Sequence, residues 1–89
     1  MRIGVKDAVT NAMRFVGDMY EGQGVQDLLL EEVEMAQGGD EWLVTIGFSL
    51  KKTDSIIKPI ANTKAQRKYK VVKVDAYSGE PLSMKILDI

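Results

Sequence analysis

The chain has 89 residues, 45% of them hydrophobic and 28% charged, and a formal net charge of −1. This length makes one domain, and the composition is that of a globular protein and not of a disordered one. The chain has no cysteine and no histidine, which excludes disulfides, thiolate chemistry, cysteine-based zinc sites and the usual general base near neutral pH.

Charged residues appear at the N-terminus before any apolar run develops, beginning with Arg2, Lys6 and Asp7. No stretch approaches the ~20 apolar residues that a membrane span needs. We therefore expect neither a signal peptide nor a membrane segment, and a cytoplasmic location if Met1 is the native start.

The first segment predicts an amphipathic helix over residues 5–20. Gly4 can serve as its N-cap, and Asp7 lies in the first turn near the positive end of the helix dipole. Phe15 is the one apolar residue off the apolar stripe. The stripe, at helical spacing, consists of Val5, Ala8, Val9, Ala12, Met13, Val16, Met19 and Tyr20.

Two strand-like segments follow, and the glycine pair at 38–39 between them favours a tight hairpin. The first strand, about 28–37, changes phase near Glu32, which predicts a bulge; a short helix over 26–34 is the alternative. The second strand, 41–50, has a large apolar residue at every second position, which predicts a half-buried strand facing the helix. These residues are Trp42, Val44, Ile46, Phe48 and Leu50.

A polar, basic connection over residues 51–66 leads to a second hairpin. At about 16 residues it is long for a compact domain, and such loops are often functional or mobile. Strands are predicted at about 68–76 and 81–88, with a bulge at Val71-Val72 and a turn in which Gly79 takes a positive φ. The predicted fold class is α+β, a single domain over 1–89 with one N-terminal helix packed on a four-stranded antiparallel sheet of two hairpins (α-β-β-loop-β-β).

The final hairpin reads Tyr69-x-Val71-Val72-x-Val74-Asp75-Ala76-x-Ser78-Gly79-Glu80-x-Leu82-Ser83. This motif, with Ile3 before a helix that carries Ala8 and Ala12, resembles PepSY domains. The resemblance implies a PepSY/cystatin-like fold, with a small antiparallel sheet wrapped on one helix. For many members it also implies an inhibitory or binding role toward proteases. The chain departs from the family in its longer basic loop, in an extra residue in the Tyr-x-Val-x-Val strand, and in the export signal that we do not expect it to have.

Charge is divided unevenly along the chain. Residues 1–50 hold 3 Lys and Arg against 9 Asp and Glu, whereas residues 51–73 hold 8 against 1. The basic segment could bind an acidic partner or a nucleic-acid backbone; alternatively, its lysines keep an edge strand soluble or face the acidic strand on a neighbour. Nucleic acid is disfavoured by the single arginine and the single interleaved aromatic, Tyr69. The candidate patch is Lys51, Lys52, Lys58, Lys64, Arg67, Lys68, Lys70 and Lys73.

The acidic cluster of Asp27, Glu31, Glu32 and Glu34 is the candidate for an oxygen-ligand metal site. Adjacent residues of a strand point to opposite faces, so Glu31 and Glu32 should not share an ion. The segment from Asp75 to Gly79 lacks the acidic ladder of a calcium loop. The sequence therefore predicts no metal, no cofactor and no catalytic residue.

We accordingly expect a non-catalytic interaction or regulatory module and not an enzyme, which binds a protein partner or associates with itself as a homodimer. One alternative is binding of an acidic partner or of nucleic acid through residues 51–73. The other is a protease-inhibitory role of the PepSY type.

Overall fold

The computed structural model describes residues 1–50 and 67–87. Its strands form one antiparallel sheet in the order β1-β2-β3-β4, and the helix packs on one face of that sheet. The predicted α+β class is therefore confirmed, whereas the predicted basic loop at 51–66 lies outside the described residues. The elements are α1 (Val5–Met19), β1 (Val25–Met35), β2 (Glu41–Leu50), β3 (Arg67–Asp75) and β4 (Pro81–Ile86).

Helix α1 packs on the sheet through small side chains. Ala8, Ala12 and Val16 are completely buried, and the two alanines let the helix backbone approach the strands closely. The predicted stripe is wrong at Val5 and Met19, which are 42% and 53% exposed, whereas Tyr20 at its C-terminal end packs against the core. Phe15, predicted to lie off the stripe, packs against the core, so the buried face of the helix is rotated toward it.

Strand β2 supplies the centre of the core, as its alternation predicts. Val44, Ile46 and Phe48 are completely buried, and Trp42 and Leu50 pack against them. The ring of Phe48 lies 5.0 Å from that of Tyr20, which follows the last residue of α1. We call this side of the sheet the helix face.

Strand β3 pairs with β2 without interruption, from Glu41 opposite Asp75 to Ser49 opposite Arg67. The predicted bulge at Val71-Val72 is therefore wrong. Val72 is buried on the helix face, whereas Val71 lies on the opposite face, where an apolar residue disturbed the expected alternation. The register shift in β3 occurs against β4 instead, between Lys73 and Val74.

Strand β1 is irregular, as its phase change predicts. Its register against β2 shifts between Gln26 and Leu29 and again between Leu30 and Glu32. The second shift lets residues on both sides of the phase change, such as Leu28 and Val33, reach the core. The predicted bulge is confirmed, and the alternative helix over 26–34 is wrong.

Both hairpin turns lie at the end of the sheet where α1 begins. The amide of Ile3 donates to the carbonyl of Ala76 at 2.7 Å, and the amide of Ala76 donates to the carbonyl of Asp40 at 2.9 Å. Asn11 Nδ2 of α1 donates to the carbonyl of Gly79 at 2.9 Å, and Gly79 has the predicted positive φ of 79°. These contacts fix the start of the helix over the two turns.

Candidate interaction surface

The face of the sheet opposite α1, which we call the open face, has no described element packed against it. Its members follow from strand pairing, because side chains of paired residues share a face. Residues paired with the odd-numbered positions of β2 belong to it. By pairing along the sheet they are Gln26, Leu29, Glu32 and Glu34 next to Leu43, Thr45, Gly47 and Ser49, then Arg67, Tyr69, Val71 and Lys73, and finally Ser83 and Lys85. Glu31, whose Oε2 lies over Gly47, and Leu87, which lines a depression with Thr45 and Val71, share this face.

The bulge in β1 places two consecutive glutamates on the open face. Glu32 pairs with Thr45, and the Oε2 atom of Glu31 lies 2.5 Å from the position that a Cβ on Gly47 would occupy. The expectation that Glu31 and Glu32 point to opposite faces is therefore wrong, because the bulge adds one residue to the strand. In the described part of the chain, no group of three acidic side chains could hold a metal ion.

Arg67 bridges three strands across the open face. From β3 it passes over Gly47 of β2, donates from Nη1 to the carbonyl of Asp27 at 2.9 Å, and places Nη2 3.4 Å from Glu31 Oε2. Asp27 has a φ of 53°, a left-handed conformation. The ion pair is partly exposed and contributes little by itself, so the main effect of Arg67 is to hold the irregular end of β1 against the sheet.

A shallow depression of about 250 Å³ lies in the middle of the open face. Thr45 is only 8% exposed, so it forms the floor between longer side chains of β1 and β3. We call this depression the central groove. Its lining consists of Glu32, Glu34, Leu43, Thr45, Val71 and Leu87.

Glutamates line one side of the central groove, and lysines lie beyond its other side. Glu32 and Glu34 of the edge strand β1 form one side. On the other side, Lys73 pairs with Leu43 and Lys85 pairs with Val71, which places both lysines on the open face. The face therefore runs from acidic at β1 through apolar at its centre to basic at β3 and β4.

The structure divides the described members of the predicted basic patch between two faces. Arg67 and Lys73 lie on the open face, whereas Lys68 and Lys70 pair with Phe48 and Ile46 on the helix face. Lys70 Nζ lies 5.9 Å from the centre of the Tyr20 ring. The remaining predicted members lie outside the described residues; they are Lys51, Lys52, Lys58 and Lys64.

Asp75 stabilises the turn between β3 and β4. Its Oδ1 accepts hydrogen bonds from the amides of Ser78 at 2.9 Å and Tyr77 at 2.7 Å. These two hydrogen bonds hold the pKa of Asp75 below its ordinary value of 3.8, and the bond from Ser78 has the larger effect. The Asp-x-x-Ser-Gly-Glu segment that resembles PepSY domains thus has a structural role in this turn.

A second depression, of about 330 Å³, lies between α1 and the turn that follows β3. Arg14, Asp18 and Glu80 line it together with Asn11, Phe15, Gly79 and Pro81. Its polar groups are of mixed charge and border a hydrogen bond that already joins the helix to the turn. We therefore regard it as part of the helix–turn junction.

Sequence reasoning missed the centre of the open face. Leu43, Thr45, Gly47 and Ser49 alternate with the core residues of β2, and a strand face exposed to water would normally carry charged residues there. The lack of charge at those four positions was the available signal. No protein-family model, no curated protein and no solved structure matches this chain, so its function is inferred from the open face itself.

Proposed function

We propose that this protein is a non-catalytic interaction module that binds a protein partner through the open face of its sheet. The observation that carries the proposal is the central groove, where Leu43, Val71 and Leu87 lie between a row of carboxylates and a row of lysines. Burial of apolar surface supplies the free energy of association, and complementary charge orients the partner.

The separation of the charged groups favours binding over catalysis. Glu32 is on β1 and Lys85 on β4, at opposite edges of the sheet, and three strand spacings separate them by roughly 14 Å. General acid–base catalysis needs its groups within hydrogen-bonding reach of one substrate. Such a separation suits contact with a protein surface, which spans a comparable width.

The same charge pattern favours a protein over a nucleic acid. Phosphate backbones bind continuous basic surfaces, whereas Lys73 and Lys85 share the open face with three glutamates. The resemblance to PepSY domains supports a binding role in general. Protease inhibition remains a prediction of that resemblance.

A site-specific photo-cross-linker tests the proposal in the cell that makes the protein. Leu29 of the open face and Met19 at the end of α1 are both 53% exposed, so p-benzoylphenylalanine at each position is presented equally to water. We expect a discrete cross-linked protein product from position 29 and none from position 19. Equal products from both positions, or none from position 29, would contradict the proposal.

A further inference from the structure

We infer that the partner of the open face is a second copy of this chain, packed face to face about a two-fold axis parallel to the strands. This inference rests on the proposed function and identifies the occupant of the same surface. Two-fold dimers present the same patch from both copies, so the patch must be complementary to itself. The open face meets that condition.

The strand order determines which two-fold arrangement is favourable. Carboxylates lie on β1 at one edge of the sheet and lysines on β3 and β4 toward the other. Rotation about an axis parallel to the strands brings β1 of one copy over β4 of the other, so opposite charges meet twice. Rotation about an axis across the strands would bring β1 over β1, with carboxylate against carboxylate.

The register of the sheet also brings opposite charges together in one row, that of Glu32. Glu32, Thr45, Val71 and Lys85 are successive cross-strand neighbours and form one row. The favoured rotation keeps each row at the same height, so Glu32 of one copy faces Lys85 of the second copy. At the centre, Thr45 of each copy then faces Val71 of the other. Packed sheets with this alignment are typically ~10 Å apart and cross at about −30°.

The size of the face predicts a reversible dimer. Four strands at a spacing of ~4.8 Å give a footprint roughly 20 Å wide and of similar length. This area is small compared with the ~800 Å² per partner that specific interfaces typically bury. Dilution should therefore dissociate the dimer, and salt should weaken it by screening the exposed charges.

Sedimentation analysis of the purified full chain with paired charge reversals tests the inference. The variants are Glu32→Lys with Glu34→Lys, and Lys73→Glu with Lys85→Glu. Each variant alone gives both edges of the open face charges of one sign, and like charges then meet at positions 32 and 85. Its dimer should therefore be weakened roughly tenfold or more. An equal mixture should associate again, because one variant then presents a basic face and the other an acidic face.

The control is Lys6→Glu with Arg14→Glu, on exposed positions of α1, which changes the net charge as the lysine variant does and should leave the dimer intact. Circular dichroism checks folding, and the single reversals Glu32→Lys and Lys85→Glu repeat the test with a smaller change. The inference would be overturned if the wild-type chain were monomeric or if the reversals left the dimer unchanged. It would also be overturned if the control dissociated or if the mixture stayed monomeric.

The two proposals fail in distinguishable ways. A monomer whose position 29 cross-links to a different protein, or to residues 51–66 of its own chain, would overturn the dimer. The different protein would leave the proposed function standing, whereas the intramolecular product would overturn that as well.

Discussion

Gly47 lies in the middle of β2, a position where glycine normally weakens a strand. A Cβ atom there would lie 2.5 Å from Glu31 Oε2, 2.8 Å from Arg67 Nη2 and 3.0 Å from Tyr69 Cε1. The missing side chain is therefore what allows Arg67 to cross the open face and reach the carbonyl of Asp27. Gly47 and Arg67 form one structural unit although 20 positions of sequence separate them.

The dependence of these two residues on each other can be measured as a coupling free energy. Arg67→Met should lower the free energy of unfolding by about 1–2 kcal/mol, because it removes a charge-assisted hydrogen bond. Gly47→Ala should be less destabilising in the Arg67→Met background than in the wild-type chain, by roughly 0.5–2 kcal/mol. Urea unfolding of the four proteins gives the coupling.

Gly17→Ala is the matched control for this cycle, since nothing lies within 4 Å of the added Cβ in α1. It should stabilise the helix by up to ~1 kcal/mol and by the same amount in either background. Strict additivity of Gly47→Ala and Arg67→Met would show that Arg67 does not depend on the space above Gly47.

Asp75 predicts a specific dependence of stability on pH. Because its pKa is lowered in the folded state, its stabilising effect is fully present above the ordinary value of 3.8 and is lost as pH falls through the folded value. Asp75→Ala should therefore unfold at lower urea than the wild type at neutral pH, with the difference narrowing in strong acid. Asp75→Asn keeps a hydrogen-bond acceptor but does not titrate. If the stability of the wild type and of Asp75→Asn changed with pH in the same way, the pH dependence could not come from the Asp75 carboxylate.

At the scale of elements, α1 packs on the sheet through small, completely buried side chains. Ala12 is completely buried, so Ala12→Leu would force extra atoms between the helix and the strands. We expect a loss of about 1–3 kcal/mol in the free energy of unfolding. Thr10→Leu, at an exposed position of the same helix, should change it by less than about 0.5 kcal/mol; equal effects at positions 10 and 12 would contradict the observed helix orientation.

The sequence was sufficient to predict elements whose apolar residues all belong to the face that packs in the core. β2 alternates without a break, and the glycines at 38–39 and 79 take positive φ values as the turns require. The pattern misled at Val71 because the open face is itself partly apolar, so alternation between apolar and polar residues fails there without any bulge. In a sequence, an apolar residue on the second face and a register shift both appear as two adjacent apolar residues that interrupt the alternation.

The candidate interaction surface was only partly predictable, for a related reason. The acidic residues near position 32 were recognised, but their shared face depends on a bulge. Glu31 in that bulge contacts Arg67, which is 36 residues away in the sequence. The basic segment was recognised as well, but strand alternation sends Lys68 and Lys70 to the helix face. Lys85, isolated in the sequence, gains its place beside Lys73 only through the pairing of β3 with β4.

At the scale of the whole molecule, the two faces of one small sheet differ in what they contact. One face is buried against α1, while the other combines apolar residues with charges of opposite sign at its two edges. A chain of this size buries only about two thirds of its unfolded surface, so a partner on the open face would extend a thin core. Association would also stabilise the folded chain by mass action.

Amide NMR spectra of the full chain, recorded at low and at high protein concentration, test the central claim most directly. We predict concentration-dependent shifts or broadening at residues of the open face, such as Leu43, Thr45, Val71 and Lys85. Exposed positions on α1, such as Lys6 and Thr10, should not change. Spectra that do not depend on concentration, or changes concentrated on α1, would contradict self-association through the open face.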